Sequence, residues 1–137
     1  MLFLGDIMQH EAQLNSAYRG EGNRGNPNSY NYSPYFKNLN SYFAKVDIVA
    51  ANMETTFAPP PYKGYPAFCS PSSLAREALS VGIDLFFAAN NHSVDRGASG
   101  IEGSISLYKE LGVLYTGIYL NEQEEALKHP LIIESRG

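Results

Sequence analysis

At 137 residues, 44% hydrophobic and 18% charged, the chain has about the length of one domain with one core. Its net charge of −4 argues against a nucleic-acid partner, which needs a basic face, and leaves any anionic substrate dependent on a metal or a local cationic patch. The single cysteine, Cys69, excludes an intrachain disulfide and a thiolate zinc site, and its apolar setting marks it as a small buried hydrophobe. No run approaches the ~20 apolar residues of a membrane span. MLFLGD is too short and too soon acidic for a signal peptide, so the chain as it stands is expected to be soluble, which leaves room for a leader or anchor in a precursor.

Leu2 to Leu4 form a short apolar run that ends in Gly5-Asp6, as a buried strand feeding a loop does. From Gln9 to Ser33 the composition shifts to Asn, Gly, Ser and Tyr, which predicts a long loop. Ser33-Pro34 reads as an N-cap and N1 proline, and Tyr35, Phe36, Leu39, Tyr42 and Phe43 continue at helical spacing to about Lys45. These rings are expected in the core, whereas Tyr30 and Tyr32 are open to either a core role or a sugar-stacking groove. Val46 to Met53 is a second strand, followed by the proline-rich loop FAPPPYKGYPAF. Ser70-Pro71 repeats the cap signal and opens a helix that Gly82 closes; Ile83 to Ala89 is a third strand. Ile101, Ile105, Tyr108 and Leu111 mark a helix closed by Gly112, and Val113 to Thr116 is a fourth strand. Asn121 with Glu124 predicts a capped short helix through Leu127, the acidic EQEEA forming its solvated start. Pro130 stops it, and Leu131 to Ile133 reads as a fifth strand. The alternation predicts an α/β fold, a layered α/β/α sandwich on a mainly parallel sheet covered on both faces.

In such sheets ligands bind beyond the carboxyl ends of the strands. Three consecutive strands end there in polar groups: Asp6; Asn52 and Glu54; and Asn90, Asn91, His92 with Asp95 one turn on. Each alone reads equally well as a turn or cap residue. Together they offer an oxygen-rich set with one imidazole, suited to a divalent Mn, Mg, Fe or Zn ion. Arg96, beside the Asn-Asn-His turn, is the candidate cation for an anionic substrate.

GDIM at Gly5–Met8, NMET at Asn52–Thr55 and ANNHSVDRG at Ala89–Gly97 resemble the bacterial CapA-type poly-γ-glutamate capsule synthesis family, which looks like a branch of the calcineurin-like metallophosphoesterases. The third segment also resembles the GNHEFD-type signature of nucleotidases, with Asn90 where that group has glycine. The stretch GIEGSISLYKELGVLYTG fits the capsule family too. The resemblance runs along nearly the whole chain and implies a single domain over 1–137, the front part of a family domain that is normally longer. It implies metal ligands at Asp6, Glu54 and Asn91, with His10 a further candidate. His92 then contacts a phosphoryl oxygen or protonates a leaving group, and Asp95 holds its ring. Asn90 and Arg96 become candidate substrate contacts. The sequence departs from the phosphoesterase pattern at Met8, where a histidine is usual, and its only other histidines are His10 and His129.

Three functions follow as expectations. The first is a protein of capsule or cell-surface polymer synthesis with a metallophosphoesterase-like metal site, acting on an anionic polymer or a phosphate-containing small substrate in a cell-surface or exported setting. The second is a non-catalytic component that binds an anionic polymer. The third is a nucleotidase-like phosphohydrolase.

Overall fold

The computed structural model describes residues 1–134 and places four strands in one parallel sheet, β1 (Leu2–Ile7), β2 (Val49–Met53), β3 (Leu85–Phe87) and β4 (Leu114–Thr116), in the order β1-β2-β3-β4. Six helices accompany them: α1 (Glu11–Ala17), α2 (Ser33–Phe36), α3 (Asn40–Phe43), α4 (Ser73–Ser80), α5 (Gly97–Leu111) and α6 (Glu122–Lys128). This is the α/β architecture that the alternating pattern predicts. Among the described residues no helix is long and apolar enough to cross a membrane.

The register fixes which side chains share a face. Val49, Ala51 and Met53 of β2 line up with Phe86 and Tyr115 on one side, and the core gathers there with Leu14, Phe36, Leu74 and Tyr108. Each strand after β1 pairs with the one before it, an order that with the usual right-handed crossover carries the intervening helices to the same side, where their apolar residues join one core. On the opposite side Ala50 and Leu85 are buried, but Phe3 is 63% and Leu114 42% exposed. The residues from His129 to Ile133 run beside Met1, Phe3 and Phe87 on that face without forming the expected fifth strand. This segment contributes side chains to that face and no ladder.

β1 carries an irregularity that matters for the site. Phe3 pairs with Ala50 and Asp6 with Asn52, three residues on one strand against two on the other. The extra residue, at Leu4-Gly5, reverses the alternation, as a β-bulge does. Asp6 thereby comes onto the same face as Asn52, while Ile7 pairs with Met53 and packs against the core.

Several local expectations change. The predicted loop from Gln9 to Ser33 contains α1, whose Leu14 and Ala17 are 2% exposed; two well-spaced apolar residues anchor a helix that polar composition concealed. The helix expected from Ser33 to Lys45 breaks into α2 and α3, each four residues long. Phe36 and Phe43 enter the core, but Tyr35 and Tyr42 are 43% and 62% exposed, because two short turns present fewer residues inward than one continuous stripe. Within this stretch it is Tyr30 and Tyr32 that are buried. Helix α4 starts at Ser73, not Ser70, whose hydroxyl is buried and bonded elsewhere. Gly82 and Gly112 close α4 and α5 as expected, both with positive φ. Asn121 caps α6 by accepting the Glu124 amide. Glu124 itself is not merely solvated, since Lys109 and Lys128 reach its carboxylate at 2.8 and 2.7 Å.

α5 lies close to the segment leaving β2. A methyl group on Gly103 would stand 2.0 Å from the Phe57 carbonyl oxygen. Ser104 reinforces the contact, its hydroxyl accepting the Phe57 amide at 3.0 Å and donating to the Gly100 carbonyl at 2.7 Å. The segment that carries Glu54 is thus fastened to the longest helix.

Candidate functional site

The strand ends bring Asp6, Asn52, Glu54, Asn90, His92 and Asp95 into one hydrogen-bonded chain. Asn52 stands at its centre. Its Nδ2 donates to Asp6 Oδ1 at 2.8 Å and to Glu54 Oε2 at 3.1 Å, so one carboxamide spans both carboxylates. The Asn52 oxygen accepts Asn90 Nδ2 at 3.0 Å, which also donates to the Met53 carbonyl at 3.1 Å. The Asn90 oxygen in turn accepts the His92 amide at 3.0 Å, shaping the turn as an Asx motif. Asn90 therefore organises the turn, and both ends of its side chain are engaged.

His92 is oriented from two directions. Its Nδ1 lies 2.7 Å from Asp95 Oδ2, and that same oxygen accepts the Phe68 amide at 2.6 Å. Asp95 Oδ2 is an acceptor, so Nδ1 donates its proton there and Nε2 is the ring nitrogen that faces Glu54. Phe68, fully buried, sets its ring edge-on to the imidazole at 4.5 Å. Nε2 stands 3.8 Å from Glu54 Oε1, an ion pair when the ring is protonated and too far for a hydrogen bond.

Glu54 is only 8% exposed. Burial first, and then the neighbouring Asp6 carboxylate, push its carboxyl above the usual range, against the opposing pull of His92 and Asn52. Two carboxylates held together this way leave negative charge that a cation would relieve. The donor set of two carboxylates, a nearby carboxamide and an imidazole fits a hard or borderline divalent ion. Among the described residues, however, no three His, Cys, Asp or Glu side chains already converge as a metal cage.

The other predicted residues are distributed around this chain. Asn91 is exposed at the turn beside His92. Arg96 points away to the proline-rich loop, donating to the Pro61 and Pro59 carbonyls at 2.9 and 3.2 Å, so its guanidinium holds the loop. His10 is exposed at the start of α1 and lies across the Phe68 ring, edge-on at 5.4 Å, rather than among the carboxylates. Cys69 is buried, as its surroundings predict, and burial raises its thiol further.

Sequence reasoning gave Asn52 a place at the strand end but no role. The signal was present: Asn52 and Glu54 are two apart in an extended segment and so share a face. It also missed a buried polar chain beneath the site. Gln9, 1% exposed, accepts the Tyr32 hydroxyl and donates to Ser70 Oγ at 2.9 Å, which pairs with Thr55 Oγ1 at 2.8 Å. This chain ties the exits of β1 and β2 to the loops flanking them. Beside it, Asp6 borders a cavity of about 140 Å³ lined also by Gln9, Gln13, Tyr32 and Tyr35.

Fold and site together define an α/β protein with a carboxylate–carboxamide–imidazole cluster at the carboxyl edge of a parallel sheet. Compared with known families, the chain matches the one described as bacterial capsule synthesis protein PGA_cap over residues 1–137, and it belongs to that family. No curated protein matches it.

Proposed function

We propose that this capsule synthesis protein carries a metallophosphoesterase-like site that binds a divalent ion and acts on a phosphate-containing or polyanionic substrate of cell-surface polymer synthesis. The observation that carries this reading is the pair of carboxylates, Asp6 and Glu54, bridged by Asn52 beside an oriented imidazole. Asp6, Glu54 and the exposed Asn91 are the residues that would hold the ion, of Mn, Zn, Fe or Mg type, which when bound supplies Lewis-acid polarisation of a phosphoryl oxygen. The protein's own part is proton handling and positioning. Asp95 fixes the His92 tautomer, leaving Nε2 to take a proton or, once protonated, to give one to a leaving oxygen. Asn52 and Asn90 keep the carboxylates and the turn in register.

Metal binding tests the reading most directly. Chelator-treated protein titrated with Mn²⁺ by calorimetry is expected to take up the ion, and Asp6→Ala combined with Asn91→Ala to weaken uptake at least about tenfold. Undiminished uptake by that variant sinks the ligand assignment. Turnover of a generic phosphate ester, lost in His92→Ala, then establishes hydrolysis.

A second reading, a non-catalytic binder of an anionic polymer, is favoured by one observation: no ready cage of His, Cys, Asp or Glu exists among the described residues. Binding of an anionic polymer without ester turnover supports that reading. A nucleotidase-like role predicts competition by nucleoside monophosphates, and no competition removes it.

A further inference from the structure

The tip of the proline-rich loop holds an exposed aromatic ring in place beside the site. Tyr65 is 71% exposed, the most exposed tyrosine or phenylalanine among the large hydrophobic residues on the described surface. Leaving such a ring in water forgoes the stabilisation of burying it. The ring is nevertheless not loose. Lys63 and Cys69 exchange two backbone hydrogen bonds, at 2.9 and 3.0 Å, and close the loop at its base. On one shoulder Phe68 is pinned by its amide to Asp95 and by its ring to His92. On the other, Gly64 lies so near α1 that a Cβ there would stand 2.4 Å from the Glu11 nitrogen, a contact only glycine permits.

Between these two anchors Tyr65 stacks on the His10 imidazole, centroids 6.1 Å apart and planes 27° off parallel, and meets the Phe68 edge at 6.4 Å. Phe68 is thus the ring that meets both His92 and the His10–Tyr65 pair. We infer that Tyr65, supported by His10, is a stacking platform that binds the ring of a ring-bearing phosphate ester whose anionic end sits at the Asp6–Glu54–His92 cluster. This rests on the anionic-site reading above and adds the part of the ligand that the site selects. The shared chemistry is an apolar ring face, offered by either the C–H face of a pyranose or a planar aromatic group.

Calorimetry with Mn²⁺-supplemented protein and three esters of like charge tests it: methyl phosphate, phenyl phosphate and glucose 1-phosphate. At least one ring-bearing ester should bind about fivefold tighter than methyl phosphate, and which one does so identifies the ring. Tyr65→Ala should erase that preference while leaving methyl phosphate binding unchanged, and Tyr65→Phe should retain it. Because the side chain is exposed, both variants are expected to fold. Equal binding of all three esters by the unaltered protein, or an unchanged preference in Tyr65→Ala, overturns the platform and leaves the anionic site standing. Binding of none of the three overturns the anionic site and the platform with it.

Discussion

Asn52 is the residue on which the cluster depends most. Its two N–H donors each meet a carboxylate and its oxygen meets Asn90, so replacing it removes three bonds at once. In Asn52→Leu the buried Glu54 loses its donor and Asp6 is no longer held against it. A loss of about 1–3 kcal/mol is expected in urea denaturation of metal-free protein. A midpoint unchanged from the wild type would show that Asn52 does not hold the carboxylates. The identity of the cluster was legible in the sequence because Asp6, Glu54 and His92 each end an apolar run. Its internal wiring was not. The bulge at Leu4-Gly5 that turns Asp6 toward Asn52, and the engagement of Arg96 with the Pro59 and Pro61 carbonyls, depend on contacts between segments far apart in the chain.

At the scale of elements, two contacts set how the helices are held. α6 is fixed through Glu124, whose carboxyl is held down to about 2 by Lys109 first, then Lys128 and the Leu120 amide. A depressed carboxyl stabilises the fold above its ordinary value of 4.5, and that contribution is lost as pH falls from there toward about 2. Glu124→Gln should therefore lower stability at pH 7, by about 1 kcal/mol given the partial exposure of both lysines. The difference from wild type should shrink as pH falls from 4.5 and vanish below about 2, and a gap undiminished across that window would refute the ion-pair account. α5 depends instead on close approach. Gly103→Ala forces a methyl into the Phe57 carbonyl and should cost about 1–3 kcal/mol, read as a lower melting temperature. An unaltered melting temperature would show that the helix can shift without loss. Sequence periodicity located α4, α5 and all four strands, since each has an apolar stripe or run. It failed at α1, where only Leu14 and Ala17 face inward, and at α2 and α3, where neither stretch exceeds a turn.

For the molecule as a whole, the one-sided placement of the helices leaves Phe3 and Leu114 partly uncovered on the other face of the sheet, with the buried Ala50 and Leu85 between them. Phe3 and Phe87 stack there at 6.2 Å. Exposed apolar surface of this kind binds hydrophobic dyes. The folded protein should enhance anilinonaphthalene sulfonate fluorescence, and Phe3→Ser combined with Leu114→Lys should reduce that signal without loss of secondary structure by circular dichroism. An undiminished signal would place the dye elsewhere. The same strand order has a kinetic consequence. Among the described residues every strand after β1 pairs with the strand that precedes it, so each of these finds its partner already made. Loop closure is confined to one crossover at a time, and the sheet can lengthen from β1 toward β4 as the polypeptide leaves the ribosome, each new crossover closing on an edge already formed.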